Sequence, residues 1–178
     1  MSNNRNRDST TDWKLCAHWL DDCECLPKEI SAKLRLKTLE FNEFAEAIRD
    51  GTCLCTLLDY LRPNCIDLAK LQTTRVNNAH APLIKILCLE NIQLYLKTCR
   101  GEPFFMSESQ LFAPEMLYDL NLQPVIRSLS LLSNLSCVQA KCNGGFYLAP
   151  DELTDNAIYD SVYLNAQLQD TVNIKEKY

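Results

Sequence analysis

Only two histidines and four glycines occur among the 178 residues, and these scarcities exclude several chemistries. His18 and His80 have no candidate nucleophile or carboxylate partner near them in sequence, so no arranged acid, base and nucleophile can be drawn. No phosphate-cradling glycine loop, HExxH or EF-hand pattern is present. The longest apolar runs fall far short of the ~20 residues that span a bilayer. The N-terminal MSNNRNRDSTTD lacks the apolar core of a secretory signal. The expectation is a non-enzymatic chain, without cofactor, metal or membrane span, in the cytoplasm.

Cysteine is the abundant residue, with ten copies. Cys23/Cys25 and Cys53/Cys55 are C-x-C pairs, and the C-x-x-C knuckles of zinc ribbons are missing. In a reducing compartment such thiols act as small hydrophobes, so they are read as reduced core residues. Cys137 and Cys142 fall past the helical body, where they could pair under oxidation.

Charge is uneven. The net charge is −5, and residues 150–178 hold two lysines against six acids, which leaves a nearly neutral body. That balance argues against nucleic acid, whose backbone needs a basic footprint. The densest basic patch is Lys28, Lys33, Arg35 and Lys37.

Helical periodicity dominates the body. A first helix is expected from Thr11-Asp12 to about Cys23, burying Trp13, Cys16, Ala17 and Leu20. Residues 28–39 alternate basic and apolar, which on pattern alone suggests a strand. An isolated strand has no partner in an all-α domain, so a loop or short helix is expected. Phe41, Phe44, Ala45 and Ile48 share one helical face, and Gly51 follows as a left-handed terminator. Leu54, Leu57, Leu58 and Leu61 repeat the spacing until Pro63. After an irregular stretch holding Ile66, Leu68 and Leu71, a long helix starts near Pro82. Ile84, Leu87, Cys88, Asn91 and Tyr95 line one face; Leu83, Leu94 and Leu96 widen it enough to suggest burial on several sides. Ser107 to Gln110 forms a capping box. Pro124 opens a last helix that turns Val125, Ile126, Leu129 and Leu132 inward. From Lys141 the pattern stops, and Asn143-Gly144-Gly145 and Pro150 mark a linker. Asn134-Leu135-Ser136 is a chance glycosylation sequon.

The wording of these helices resembles the calponin-homology domain, and more narrowly the N-terminal one of the Vav family of Rho/Rac guanine-nucleotide exchange factors. Trp13, Cys16, His18, Trp19, Leu20 and Cys23 match the opening W-x-x-C-x-H-W-L-x-x-C. Ala47-Ile48-Arg49-Asp50-Gly51 and Leu54-Cys55-x-Leu57-Leu58 match the central signature. Leu87-Cys88-Leu89-Glu90-Asn91-Ile92, Leu111-Phe112, Leu117-Tyr118-Asp119-Leu120 and Leu129-Ser130 follow in order, so the resemblance runs from Trp13 to about Val138. The organisation expected is a lead-in over 1–11, an all-α calponin-homology helical bundle over 12–138, and a mostly irregular acidic tail over 139–178.

The resemblance implies a regulatory module that folds back onto a Dbl-homology/pleckstrin-homology catalytic core and holds it inactive. It also implies that tyrosine kinases modify the tail and relieve the inhibition. Tyr159 matches the first such tyrosine, and Tyr178 falls about where a second would be. Tyr163 has no clear counterpart, although its Tyr-Leu-Asn resembles the Y-x-N bound by Src-homology adaptor domains. Two readings of Tyr159 stand: a switch, or a ring packing an amphipathic turn with Ile158, Val162 and Leu164. Phosphate adds about −1.5 to −2 charge, which Asp160 repels, and would cost the ring's burial of about 1.5–3 kcal/mol. The alternatives are an F-actin-binding module, for which the basic patch is the single favourable feature, and a phosphotyrosine docking adaptor.

Overall fold

Helix after helix follows the apolar spacing, and no strand occurs among the described residues. The computed structural model describes residues 12–72, 81–142 and 144–148. Tyr159, Tyr163, Tyr178 and His80 lie outside them. The helices are α1 (Asp12–Asp22), α2 (Lys28–Arg35), α3 (Phe41–Ile48), α4 (Thr52–Leu61), α5 (Ala81–Arg100), α6 (Pro114–Tyr118), α7 (Leu122–Ser133) and α8 (Ser136–Gln139). Two 3-10 turns interrupt the loops at Leu68–Lys70 and Glu108–Gln110. The second carries the expected capping box, Ser107 N–H donating to Gln110 Oε1 at 2.8 Å.

The core is the sum of the apolar stripes. Trp13, Cys16, Ala17 and Leu20 of α1 are buried, and so is Trp19, which the stripe had omitted. Phe44, Ala45 and Ile48 meet Leu54, Leu57, Leu58 and Leu61 across the α3–α4 turn. Phe41 sits at the rim, its ring 5.9 Å edge-on from Trp13, which also stacks on Phe44 at 5.6 Å. Residues 28–35 take the short-helix option. Ile30 and Leu34, four apart, turn toward the core, and Pro27 supplies the fixed φ that precedes the helix.

The long helix α5 is less enclosed than its breadth of apolar residues suggested. Its C-terminal part is buried through Cys88, Asn91, Ile92, Tyr95, Leu96 and Cys99 against α4 and α6. Leu83 and Ile86 stay exposed, and the buried residues of the helix begin at Cys88. Ile92 also replaces Ile84 as a principal core residue.

The C-terminal segment departs most from expectation. The first compact unit runs through Leu148, so the described opening of the stretch read as linker, 139–142 and 144–148, is seated on the body. Phe146 is buried, its ring 5.7 Å from Trp19. Its carbonyl accepts from Ser130 Oγ at 2.8 Å and Asn134 Nδ2 at 2.9 Å, while its N–H donates to Ser133 Oγ at 3.1 Å. Side chains of α7 thus satisfy backbone that no helix or sheet supplies. Lys141 caps this region by donating to the Tyr60 carbonyl, with its ammonium 4.6 Å from that ring's centroid. The Asn134 amide is consumed in the clasp.

Gly145 is required here by contact. A Cβ on it would lie 2.6 Å from the Ser133 carbonyl and from Asn134 Oδ1. Gly145→Ala and Phe146→Ala are each expected to weaken the clasp by about 2 kcal/mol, a roughly 30-fold rise in cleavage at 144–148 under limited proteolysis. Unchanged cleavage in both variants would refute the clasp.

Candidate functional site

No reactive centre assembles among the described residues. Burial pushes the thiols up, Cys55 and Cys99 to about 12 and Cys16, Cys25 and Cys53 further, so at neutral pH these groups are protonated and poor nucleophiles. No group of three or more His, Cys, Asp or Glu side chains there could hold a metal ion. His18 points outward from α1. No described helix is long and apolar enough to cross a membrane.

The basic patch singled out in the sequence lies on the surface. Lys28, Lys33 and Arg35 stand on α2, and Lys37 follows at a left-handed φ of 58°. Two of the four cations are already engaged. Lys33 binds Glu43 of α3, and Arg35 Nε lies 3.3 Å from Asp21 Oδ2 of α1. The Lys33 hydrogen bond, helped by the Glu40 backbone, holds the Glu43 carboxyl below its ordinary range. Such exposed pairs contribute little stability, yet they reduce the positive field offered to an anionic partner. Lys28 and Lys37 remain as outward-facing cations.

Inside the domain, two joints organise the helices. Asn91, 1% exposed, donates from Nδ2 to the Asp50 and Gln72 carbonyls at 3.1 Å each, and its Oδ1 accepts from Gln72 N–H at 2.7 Å. The Cys55 thiol donates to the Asn91 carbonyl at 3.3 Å. One side chain on α5 thereby ties the α3–α4 turn to the segment that returns after the first 3-10 turn. Arg49 makes the second joint. Its Nε donates to the Tyr118 carbonyl at 2.8 Å, and its guanidinium stacks 4.4 Å from the Tyr118 ring centroid, with Lys85 approaching the same ring at 5.0 Å.

Most of this helical body matches a known family. The model of the calponin homology (CH) domain matches residues 11–137. The chain belongs to the calponin-homology family.

Its calponin-homology domain matches those of Vav proteins. The rat protein "Proto-oncogene vav" is 34% identical over 165 residues, covering 92% of this chain and 18% of the relative. The Drosophila melanogaster "Protein vav" is 32% identical over 180 residues, covering 93% and 22%. A solved structure described as "Autoinhibited Vav1" superposes with a TM-score of 0.62 at 34% identity, over 76% of this chain and 24% of that one. The chain thus spans about a fifth of the length of the relatives it matches, and these 178 residues hold the calponin-homology part rather than an exchange-catalysing domain.

The signature residues of the calponin-homology domain prove to be its internal joints. Arg49, Asp50 and Gly51 meet Asn91, Ile92 and Tyr118, so three separate motif segments converge on one place. Sequence reading had marked these positions without knowing what they touch. It missed the clasp around Phe146. The signal was present as Ser130, Ser133 and Asn134, polar groups on or beside the inward stripe of α7.

Proposed function

We propose that this calponin-homology domain is the non-catalytic, autoinhibitory and protein-interaction module of a Vav-like Rho/Rac guanine-nucleotide exchange factor. Its partner is the Dbl-homology/pleckstrin-homology core, gripped in cis within a longer chain. Tyrosine kinases act on the acidic tail at Tyr159, Tyr163 or Tyr178, and Src-homology adaptor domains read the product. The added phosphate charge beside Asp160 releases the inhibitory contact. The observation that carries this reading is the superposition on a structure described as autoinhibited, at an identity well above that which supports fold alone. The half-paired basic patch supports it too, since it leaves shape rather than charge as the main resource of the surface.

Adding the chain to a Vav-type catalytic core is expected to slow nucleotide exchange on a Rho-family GTPase. Treating the chain with a tyrosine kinase should restore the rate. Docking that rests on a buried ring shifts tenfold or more when about 1.5–3 kcal/mol is lost. Equal exchange rates with and without the chain would count heavily against inhibition in trans, and an exchange factor whose rate does not rise when this domain is deleted from its own chain would overturn the proposal.

A further inference from the structure

Cys23 and Cys142 bring their sulfurs to 3.4 Å although 119 residues separate them in sequence. Cys23 follows the last residue of α1, its N–H donating to the Trp19 carbonyl; Cys142 follows α8, its N–H donating to the Val138 carbonyl. Each backbone is held by a hydrogen bond to the carbonyl four residues back, at the end of its helix for Cys23 and three residues beyond α8 for Cys142. Closure to the bond length of about 2.05 Å brings the two sulfurs roughly 1.4 Å closer. We propose that Cys23 and Cys142 form a redox-controlled disulfide that staples the C-terminal segment to the end of α1.

The neighbouring thiols do not compete. Cys25 donates to the Cys23 carbonyl at 2.9 Å, and Cys137 lies exposed against the Pro103 carbonyl. Cys137 and Cys142 could pair under oxidation, though nothing in the sequence asks for it; the geometry instead brings Cys142 to Cys23. Cys142 is 9% exposed and Cys23 is fully enclosed, so the oxidant meets Cys142 first. The 3.4 Å approach then places the Cys23 sulfur beside the oxidised Cys142 sulfur.

The oxidant is a hydroperoxide. The Cys142 sulfur attacks one peroxide oxygen of hydrogen peroxide, the O–O bond breaks, and a sulfenic acid and one water result. The Cys23 sulfur then attacks the sulfenic sulfur, the S–S bond forms, and hydroxide leaves with the Cys23 proton as a second water. Two thiols lose two electrons and two protons, and one peroxide becomes two waters. The product encloses nearly the whole domain in one covalent loop and fixes the segment that leads to Phe146 whether or not its clasp is closed.

The test uses the full 178-residue chain, reduced, exposed to hydrogen peroxide, alkylated and mapped without reduction. An intrachain Cys23–Cys142 peptide is expected, with a rise in Tm of about 5–10 °C that dithiothreitol reverses. Cys142→Ala should abolish both, and Cys137→Ala should keep both. Should Cys23 and Cys142 both alkylate after unfolding, or Cys142 join Cys137, the proposal fails. A Cys23–Cys142 bridge without the Tm rise would overturn the staple. Mapping of the unmodified chain decides the pairing even where a variant folds poorly.

Discussion

Gly51→Val is expected to destabilise the domain by about 4 kcal/mol, enough to bring a structure of ordinary stability close to unfolding. Two independent costs combine. Gly51 has φ 77°, a left-handed conformation that a β-branched residue adopts only under strain. A Cβ there would also sit 2.9 Å from both the backbone N and Cγ1 of Ile92, with the Asn91 carbonyl carbon at 3.2 Å. Backbone cannot yield as a flexible side chain would, so α5 would have to back away from the α3–α4 turn. Gly51→Ala should show about half the loss, because it meets the same backbone without the β-branch. Gly101→Ala is the control. Its Cβ would meet nothing closer than the Thr98 carbonyl at 3.6 Å, and its change should stay within about 0.5 kcal/mol. Urea denaturation of the three variants measures the series. A loss below about 1 kcal/mol for Gly51→Val would mean that the crossing of α4 and α5 is not a close backbone approach.

The same glycine shows what a sequence can and cannot disclose. Its left-handed turn was legible because Phe44, Ala45 and Ile48 end one helical stripe and Leu54 begins another. Local periodicity records which face is buried, and both helices obey it. The role of Ile92 as the atom group that excludes a Cβ was not legible, because it is a contact between residues 41 positions apart. Exposure of Leu83 and Ile86 was hidden for a related reason: apolar composition marks a helix face but does not say how far the partners extend along it. Leu34 escaped notice because the basic-apolar alternation of 28–39 mimics a period of two while Ile30 and Leu34 keep a period of four. The clasp on Phe146 leaves the weakest trace. Glycines and asparagine announce an irregular chain, and irregular chain reads as linker, yet hydroxyls from Ser130 and Ser133 capture its backbone. The Cys23–Cys142 approach has no local signature at all. The basic patch was visible as composition; its pairing with Glu43 and Asp21 depends on how α2 lies against α1 and α3.

Asn91→Ala is expected to cost about 3–4 kcal/mol. The amide makes three hydrogen bonds to backbone of two other segments, and each is worth about 1 kcal/mol net. Its removal loses all three bonds at a position that is 1% exposed, and takes the Asn91 amide away from the backbone N–H and carbonyl of half-buried Gln72, which adds a desolvation penalty. A cavity contributes the remainder. Asn91→Leu separates these causes, since leucine fills the volume without restoring any hydrogen bond. If the polar joint dominates, leucine recovers no more than about 1 kcal/mol relative to alanine. If leucine approaches the wild-type stability, the site is a packing position and the clamp is incidental. Hydrogen exchange supplies the local readout. The Gln72 N–H, held at 2.7 Å by Asn91 Oδ1, should lose protection in both variants, while the amides of α7 should change only by the overall loss in stability. Equal loss of protection throughout would show that Asn91 stabilises the fold globally without pinning the segment that returns to the α3–α4 turn.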